Sequence, residues 1–200
     1  MSVFKEYRLG EICKVCRGIS FKDSHYLKSG TPVLKKGNIK GGNVVKENLF
    51  YCDETNHKIS DSLRVRYEDV VITNSAPHPG RIAINLTDFE FILSAHVFKL
   101  DPNPEVLDRK YLYYFLMNSP QQAERMITVK NVSAINVSSV ENFEILVPDL
   151  ETQRSIVRKL DTFQELREEL REELKMRKRQ GAYYRDKIMG ELQGLVSEVK

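Results

Sequence analysis

The feature that most constrains the fold is an apolar stripe in the charged C-terminal part of the chain, after Pro148-Asp149. Its residues step by 4, 3, 7 and 4, the a/d spacing of a coiled coil, with Arg167 in the one polar position: Ile156, Leu160, Phe163, Leu170 and Leu174. Glu, Arg and Lys surround the stripe at spacings that suit i,i+4 ion pairs. About forty residues make a helix of roughly 60 Å. A helix of that length cannot bury its stripe against the rest of this chain, so the stripe predicts a partner helix from another chain.

The remainder of the chain is a series of short apolar runs separated by turn residues, which predicts strands. These runs are KVCRGISF, TPVLKKGN, GNVVKENLFYC, DVVITNS, GRIAINL, EFILSAHVFKL and, last, ENFEILVP. One helix is predicted over residues 105–117, and its aromatic residues are expected to lie in the core rather than form a base-stacking platform. A second, short helix is predicted to start at Ser119-Pro120-Gln121-Gln122, because these residues suit the N-cap, N1 and N3 positions.

These patterns together predict an α+β (mixed) fold with two parts. Residues 1–149 form a strand-rich domain, residues 150–195 form a long C-terminal α-helical coiled-coil arm, and residues 196–200 form a tail. The chain of 200 residues is long enough for one domain and such an extension.

Composition excludes several classes of protein. With 41% hydrophobic and 30% charged residues, the chain is typical of a soluble globular protein, and no apolar run approaches the roughly 18 to 20 residues of a membrane helix. The N-terminus, MSVFKEYRLGEI, lacks the apolar core of a signal peptide. Three cysteines, an odd number, argue against a disulfide framework and favour a reducing compartment. We therefore expect a cytoplasmic protein without a membrane partner.

Two patterns could suggest metal chemistry, and neither holds. Cys13-x-x-Cys16 is half of a zinc pattern, but the spacing of Cys52 and His57 fits no standard ligand pair and favours buried thiols. Asp149 and the later Glu173-Leu174-Lys175 superficially resemble a nuclease metal site. A continuous helix would place them about 36 Å apart, too far for convergent ligands.

The other catalytic signatures that we considered are also missing from the sequence. The glycines Gly37, Gly41 and Gly42 do not form a phosphate-binding loop. The four histidines are scattered, and His96, in an apolar run, is expected to be a core residue rather than a base. No Asn/Asp-Pro-Pro-Tyr/Phe run of an amino-methyltransferase occurs. The sequence predicts a protein that is not an enzyme and has no metal site.

Charge is unevenly distributed along the chain. Residues 28–46 hold five lysines and no acidic residue, although the formal net charge of the whole chain is only +3. Such a strip can lie against phosphates, but taken alone it is more typical of a solvated loop.

Five stretches, in order, resemble the specificity (S) subunits of type I restriction-modification systems. YRLGEICKVCRGISF and TPVLKKGNIKGGNV resemble the opening of their target-recognition domain, and YEDVVITNSAPHPGRIAIN resembles a later segment of it. NVSAINVSSVENFEILVPDLETQRSIVRKLD is similar to the closing strand and the helix that follows it. RKRQGAYYRDKIM is similar to a stretch farther along that helix, with Gly181 and Met189 as departures.

The resemblance implies a non-catalytic DNA-recognition subunit. Its domain would bind one half of a bipartite double-stranded DNA target, and methyltransferase (M) and restriction (R) subunits would supply the chemistry. It implies no cofactor in this chain, with S-adenosylmethionine, ATP and Mg in the partner subunits. Full-length members have two such units whose arms form an antiparallel coiled coil, so this chain corresponds to one half. A homodimer through the C-terminal helix is expected, and pairing with a different half-subunit stays open.

The residues expected to contact DNA lie in loops of the matching segments. They are Lys35, Lys36, Asn38 and Lys40 in a basic turn, Asn74, Ser75, His78 and Arg81 around a proline-rich loop, and Lys130, Asn131 and Ser133 before the last strand. The residues expected to contact a partner helix or the M subunit are Gln153, Ile156, Leu160, Phe163, Leu170 and Leu174.

A competing hypothesis from another class is a coiled-coil scaffold or regulatory protein whose globular head binds protein. Lysine-rich strips also occur on such heads, so the sequence alone leaves this alternative open.

Overall fold

The computed structural model describes residues 4–56, 59–118, 127–129 and 133–198, with only the backbone described for residues 56, 127–129, 133 and 191–198. Contacts divide the chain into two units, Met1–Val157 and Arg158–Lys200. The first unit is rich in strands and the second is helical, so the predicted α+β fold class is confirmed.

A six-stranded sheet forms the centre of the first unit. In spatial order its strands are β2 (Cys13–Arg17), β11 (Val97–Pro102), β8 (Val70–Thr73), β9 (Ile82–Ile84), β5 (Asn43–Val44) and β4 (Ile39–Lys40). Adjacent strands of this sheet pair antiparallel, except that β5 and β9 pair parallel. All four residues of β8, VVIT, are buried, as expected for a β-branched strand covered on both faces.

A four-stranded sheet packs on one face of the first. Its spatial order is β6 (Phe50–Cys52), β3 (Thr31–Leu34), β10 (Phe91–Leu93) and β7 (Arg64–Val65). Phe91 and Leu93 of β10 join Val71, Ala83 and other residues of the six-stranded sheet in one buried cluster. Ile92, between them, points to the other face and packs in a second cluster, as the period of two in a strand requires.

Helix α2 (Arg109–Met117) packs against β8 and β9 of the six-stranded sheet. The prediction that its aromatic residues are core is confirmed, with Tyr111, Tyr113 and Tyr114 each buried. The helix begins at Arg109 rather than at residue 105, because the Asp108 side chain caps it by accepting a hydrogen bond from the Tyr111 N–H at 3.0 Å.

The remaining elements of the first unit are small. They are β1 (Lys5–Arg8), α1 (Leu9–Ile12), β12 (Ile127–Val129), β13 (Ser133–Ile135), α3 (Val137–Glu141) and β14 (Glu144–Val147). β1 pairs antiparallel with β14, and β12 pairs antiparallel with β13. The short helix expected from Ser119 starts outside the described residues.

The C-terminal helix α4 runs from Leu150 to Glu198. Asp149 caps it, accepting from the Thr152 N–H at 2.9 Å and from the Thr152 hydroxyl at 2.8 Å, and these bonds lower the pKa of the Asp149 carboxyl. The first turns of α4 belong to the strand-rich unit, which extends through Val157, whereas the predicted domain ends at residue 149.

From Arg158 onward, α4 carries its apolar stripe in an exposed state. Phe163 is 67% exposed, Leu170 56% and Leu174 54%. Ion pairs between neighbouring turns flank the stripe. Arg177 lies 2.7 Å from Glu173 at the predicted i,i+4 spacing, and Arg171 lies 3.3 Å from Glu168 at i,i+3 spacing.

Candidate nucleic-acid interface

Two segments predicted to contact DNA, the basic turn and the proline-rich loop, meet beside strand β13 at one place, which we call the loop junction. The Lys36 ammonium donates a hydrogen bond to the Ala76 carbonyl at 2.5 Å, which joins the basic turn to the loop after β8. Ser75 forms a β-bridge with Ala134, and the Ile135 N–H donates to the Asn74 carbonyl at 2.8 Å. Residues far apart in sequence therefore come together at this junction.

The loop between β8 and β9 is held in shape by Thr73. Its hydroxyl donates to the His78 carbonyl at 2.6 Å and accepts from the Arg81 N–H at 3.0 Å, and its carbonyl accepts from the Gly80 N–H at 2.8 Å. The Ala76–Pro77 peptide is cis, and Gly80 has a φ of +84°, which favours glycine. The three hydrogen bonds to Thr73 therefore fix the path of the loop.

Lysines of the basic turn are engaged within the protein. The Lys35 ammonium lies 3.7 Å from the centre of the Phe50 ring and 4.5 Å from that of Tyr26. Lys40 pairs with Glu47 at 2.5 Å, and both side chains are more than half exposed. Exposed ion pairs stabilise a protein by only about 0–1 kcal/mol, so a phosphate can replace Glu47 at little cost.

The proline-rich loop exposes two basic side chains, His78 and Arg81. Asn74 and Ser75 are half-buried: the Asn74 amide donates to the Ala95 carbonyl at 2.9 Å, and the Ser75 hydroxyl lies 3.1 Å from Nδ1 of His96. His96 is itself exposed, which corrects its expected place in the core. The run EFILSAHVFKL is two strands of different sheets, and His96 lies in the turn between them.

Asn38 corrects the predicted set of DNA contacts, because it is only 3% exposed. Its amide donates to the Glu47 carbonyl at 2.8 Å and its oxygen accepts from the Lys35 N–H at 3.2 Å. A polar side chain that is buried and hydrogen-bonded in this way stabilises the turn and is not available to a base. The sequence placed it correctly in the basic turn but could not show which way it points.

Two predicted contacts, Lys130 and Asn131, lie outside the described residues. Ser133 is the first residue of strand β13, and only its backbone is described.

A cleft of about 670 Å³ lies beside the loop junction. It is bounded by the Lys40–Asn43 turn, by residues 80–82 at the start of β9, and by the end of α2 at Leu116 and Met117. Two predicted DNA contacts, Lys40 and Arg81, line it together. The other lining residues were not predicted from the sequence; the glycine pair Gly41-Gly42 was the available signal, but it matches no phosphate-binding loop.

Gln153 is wrongly predicted as a partner contact, since it is fully buried inside the first unit. Its amide donates to the carbonyls of Val106 and Pro148 at 2.9 and 2.7 Å, and its oxygen accepts from the Asp108 N–H at 2.8 Å. Ile156 and Leu160 are half-buried.

Within the described residues, no group of His, Cys, Asp and Glu is placed to hold a metal ion. All three cysteines are free and buried, and burial raises the pKa of the Cys13 thiol to about 12. Burial also raises the pKa of the Cys16 and Cys52 thiols, which disfavours the reactive thiolate form of all three cysteines. Among the described helices, none is both long and apolar enough to span a membrane.

Comparisons with known proteins give a consistent family. Residues 1–176 match the family model described as the type I restriction modification DNA specificity domain. The chain is 24% identical over 172 residues to the type I restriction enzyme MjaVIII specificity subunit of Methanocaldococcus jannaschii, covering 83% of this chain and 40% of that protein. It is 34% identical over 119 residues to the EcoR124I/EcoR124II specificity subunit of Escherichia coli, covering 54% of this chain and 28% of that one.

Solved structures agree with this match. The HsdS subunit from Thermoanaerobacter tengcongensis superposes with a TM-score of 0.63 at 26% identity, covering 82% of this chain and 38% of that one. The type I restriction-modification S subunit from M. genitalium, at 17% identity and a TM-score of 0.60, shares the fold over 82% of this chain and 40% of its own. The chain thus spans about 40% of the length of such relatives. The relatives are named as specificity subunits, as expected for a non-catalytic recognition protein. The chain belongs to the type I restriction-modification DNA specificity domain family.

Proposed function

We propose that this chain recognises one half of a bipartite DNA target on behalf of a type I restriction-modification complex. The observation that carries the proposal is the loop junction, where the basic turn, the proline-rich loop and strand β13 meet through the Lys36–Ala76 and Ser75–Ala134 contacts. A surface built of positioned loops with cations at its edge suits contacts to phosphates and to base edges.

Partner subunits complete the proposed activity. The M subunits bind S-adenosylmethionine and methylate adenine, and the R subunit uses ATP and Mg for restriction. In this arrangement the chain itself needs no cofactor, and it acts in the cytoplasm beside the DNA.

The exposed stripe on α4 supports pairing of two copies. Phe163, Leu170 and Leu174 are exposed to water on this helix. A second helix that covers them removes apolar surface from water, which stabilises the paired state. The helical unit from Arg158 through Glu198 is about 60 Å long, comparable to about 18 base pairs, which is ample for two half-sites about one turn apart. Two identical copies would select an interrupted palindrome, because a two-fold protein binds a two-fold site.

Co-expression with the cognate M subunit, followed by mapping of methylated adenines, tests the function. We expect methylation at an interrupted palindrome. An asymmetric bipartite motif would mean that a different half-subunit pairs with this one. No methylation above that of the M subunit alone would contradict the proposal and favour the coiled-coil scaffold.

The substitution Leu170→Asp is expected to halve the mass in solution, because it places a charge in the middle of the paired stripe. Light scattering coupled to size exclusion measures it, with Met176→Asp as the matched control. Met176 is also an exposed apolar residue, 64% against 56% for Leu170, and it lies about 120° away around the helix. An unchanged mass for Leu170→Asp would refute pairing through this stripe.

A further inference from the structure

The cleft beside the loop junction has a charge pattern that points to an anionic ligand. The charged residues among its described lining are both cations, Lys40 on the hairpin turn and Arg81 at the start of β9. Both side chains are exposed at the mouth of the cleft. Glu47 neutralises Lys40 only through an exposed ion pair, which an incoming phosphate can displace. The mouth is therefore suited to a phosphate group.

Apolar groups form the inner surface of the same cleft. Ile39, Ile82 and Leu116 are almost completely buried and make its walls, whereas Met117 is 40% exposed and is the apolar surface that a ligand can reach. A phosphate alone gains nothing from such a surface. The inner surface calls for a flat or apolar group, and a methionine side chain makes favourable contacts with aromatic rings.

The glycine pair of the turn keeps the cleft open on one side. Gly41 has a φ of +56° and Gly42 a φ of +83°, so the tight turn itself requires glycines. A Cβ on Gly42 would lie 2.7 Å from the Tyr113 hydroxyl oxygen and 3.1 Å from the end of Met117, whereas a Cβ on Gly41 would have nothing within 4 Å. The turn thus packs directly on α2 at Gly42 and leaves free space above Gly41.

We propose that this cleft holds one nucleotide of a DNA strand, unstacked from its neighbours, with its phosphate between Lys40 and Arg81 and its base against Met117. The inference rests on the proposed DNA recognition and adds a subsite to it. A volume of about 670 Å³ is in the range of sites for small ligands, about 300 to 1,000 Å³. A base that enters the cleft between the hairpin turn and α2 and contacts Met117 cannot stay stacked in a duplex, so the base must leave the stack.

The methyl group of Met117 provides a direct probe. We would label the five methionines of the full chain with ¹³C-methyl groups, assign Met117 by the substitution Met117→Leu, and titrate with a single-stranded pentanucleotide of randomised sequence. The ring current of a bound base shifts the Met117 signal upfield. Arg81→Gln is expected to raise the concentration needed for half of this shift about tenfold, because one charge-assisted hydrogen bond is lost. Lys46→Gln is the matched control, because Lys46 belongs to the same lysine-rich strip but is not among the residues that line the cleft. It is expected to leave the concentration for half of the shift unchanged.

Three results would overturn the proposal. One is the absence of any shift of Met117. Another is an equal shift with an abasic pentanucleotide, which would leave only a phosphate site. The third is an equal shift with mononucleotides at the same concentration, which would make the cleft a site for free nucleotides rather than for DNA.

A parallel assay separates this failure from failure of the proposed function. The complex of this chain with its M subunit is tested for methylation of duplex DNA. Methylation without a Met117 shift rejects the cleft alone, whereas the absence of methylation rejects the recognition function as well.

Discussion

Replacing Gln153 by alanine is expected to lower the free energy of unfolding by about 3 kcal/mol. The amide side chain is fully buried and makes three hydrogen bonds, to the carbonyls of Val106 and Pro148 and from the N–H of Asp108. Each net contribution is about 1 kcal/mol, and buried groups left without a partner add a desolvation cost. Urea unfolding followed by circular dichroism measures the change.

Gln153→Glu sharpens the test, because a carboxylate keeps the shape but cannot donate to the two carbonyls. We expect it to destabilise the protein more than alanine does, since it also buries a charge. Arg154→Ala, an exposed neighbour on the same helix, is the matched control and should change stability by less than about 0.5 kcal/mol. A loss below about 1 kcal/mol for both Gln153 variants would show that this joint between α4 and the strand-rich unit is not needed for stability.

The substitution Asp69→Ala is expected to cost about 3 to 5 kcal/mol of unfolding free energy, the range for breaking a buried ion pair. Asp69 is 2% exposed and Lys99 5%, and the Lys99 ammonium lies 3.7 Å from the Asp69 carboxylate. The carboxylate also accepts the Arg66 N–H at 2.8 Å and lies 3.6 Å from the Arg109 guanidinium. Its removal leaves the ammonium of Lys99 buried without this carboxylate, while the Arg64 carbonyl still accepts a hydrogen bond from it at 2.8 Å.

A double variant tests whether the loss comes from the unpaired charge. Asp69→Leu combined with Lys99→Met removes both charges and is expected to be more stable than Asp69→Ala alone. Asp88→Ala is the exposed control, because Asp88 is 75% exposed in its pair with Lys46 and should change stability by at most about 1 kcal/mol. Equal losses for Asp69→Ala and Asp88→Ala would contradict the argument.

Gln153, the subject of the first stability prediction, was expected from the sequence to contact a partner helix. Asp69 and Lys99, the subjects of the second, were given no role from the sequence. In each case the side chain is polar and yet fully or almost fully buried. Burial of a polar group depends on which distant carbonyls and carboxylates surround it, and local periodicity carries no information about them.

Periodicity did determine the classes of element and their order. Strand-like runs, helix α2 with its aromatic core face, and α4 with its exposed stripe follow from spacings of two and 3.6 residues, which reflect covalent geometry. The break inside EFILSAHVFKL was missed, because the apolar pattern continues while the chain passes from one sheet to the other.

At the candidate interface, too, the sequence determined which residues lie in loops, and the tertiary structure determined which of them come together. The sequence placed Lys36, Ser75 and Arg81 in loops of the segments that resemble the family, since lysine, serine and arginine between apolar runs indicate exposed turns. Only the tertiary structure decided which of these loops meet. It brings Lys36 to Ala76 and Ser75 to Ala134. It also places Lys40 and Arg81 in the lining of one cleft. The physical reason is that sheet pairing, including the parallel contact of β5 with β9, brings together segments about forty residues apart, whereas a sequence pattern extends over only a few turns or strands.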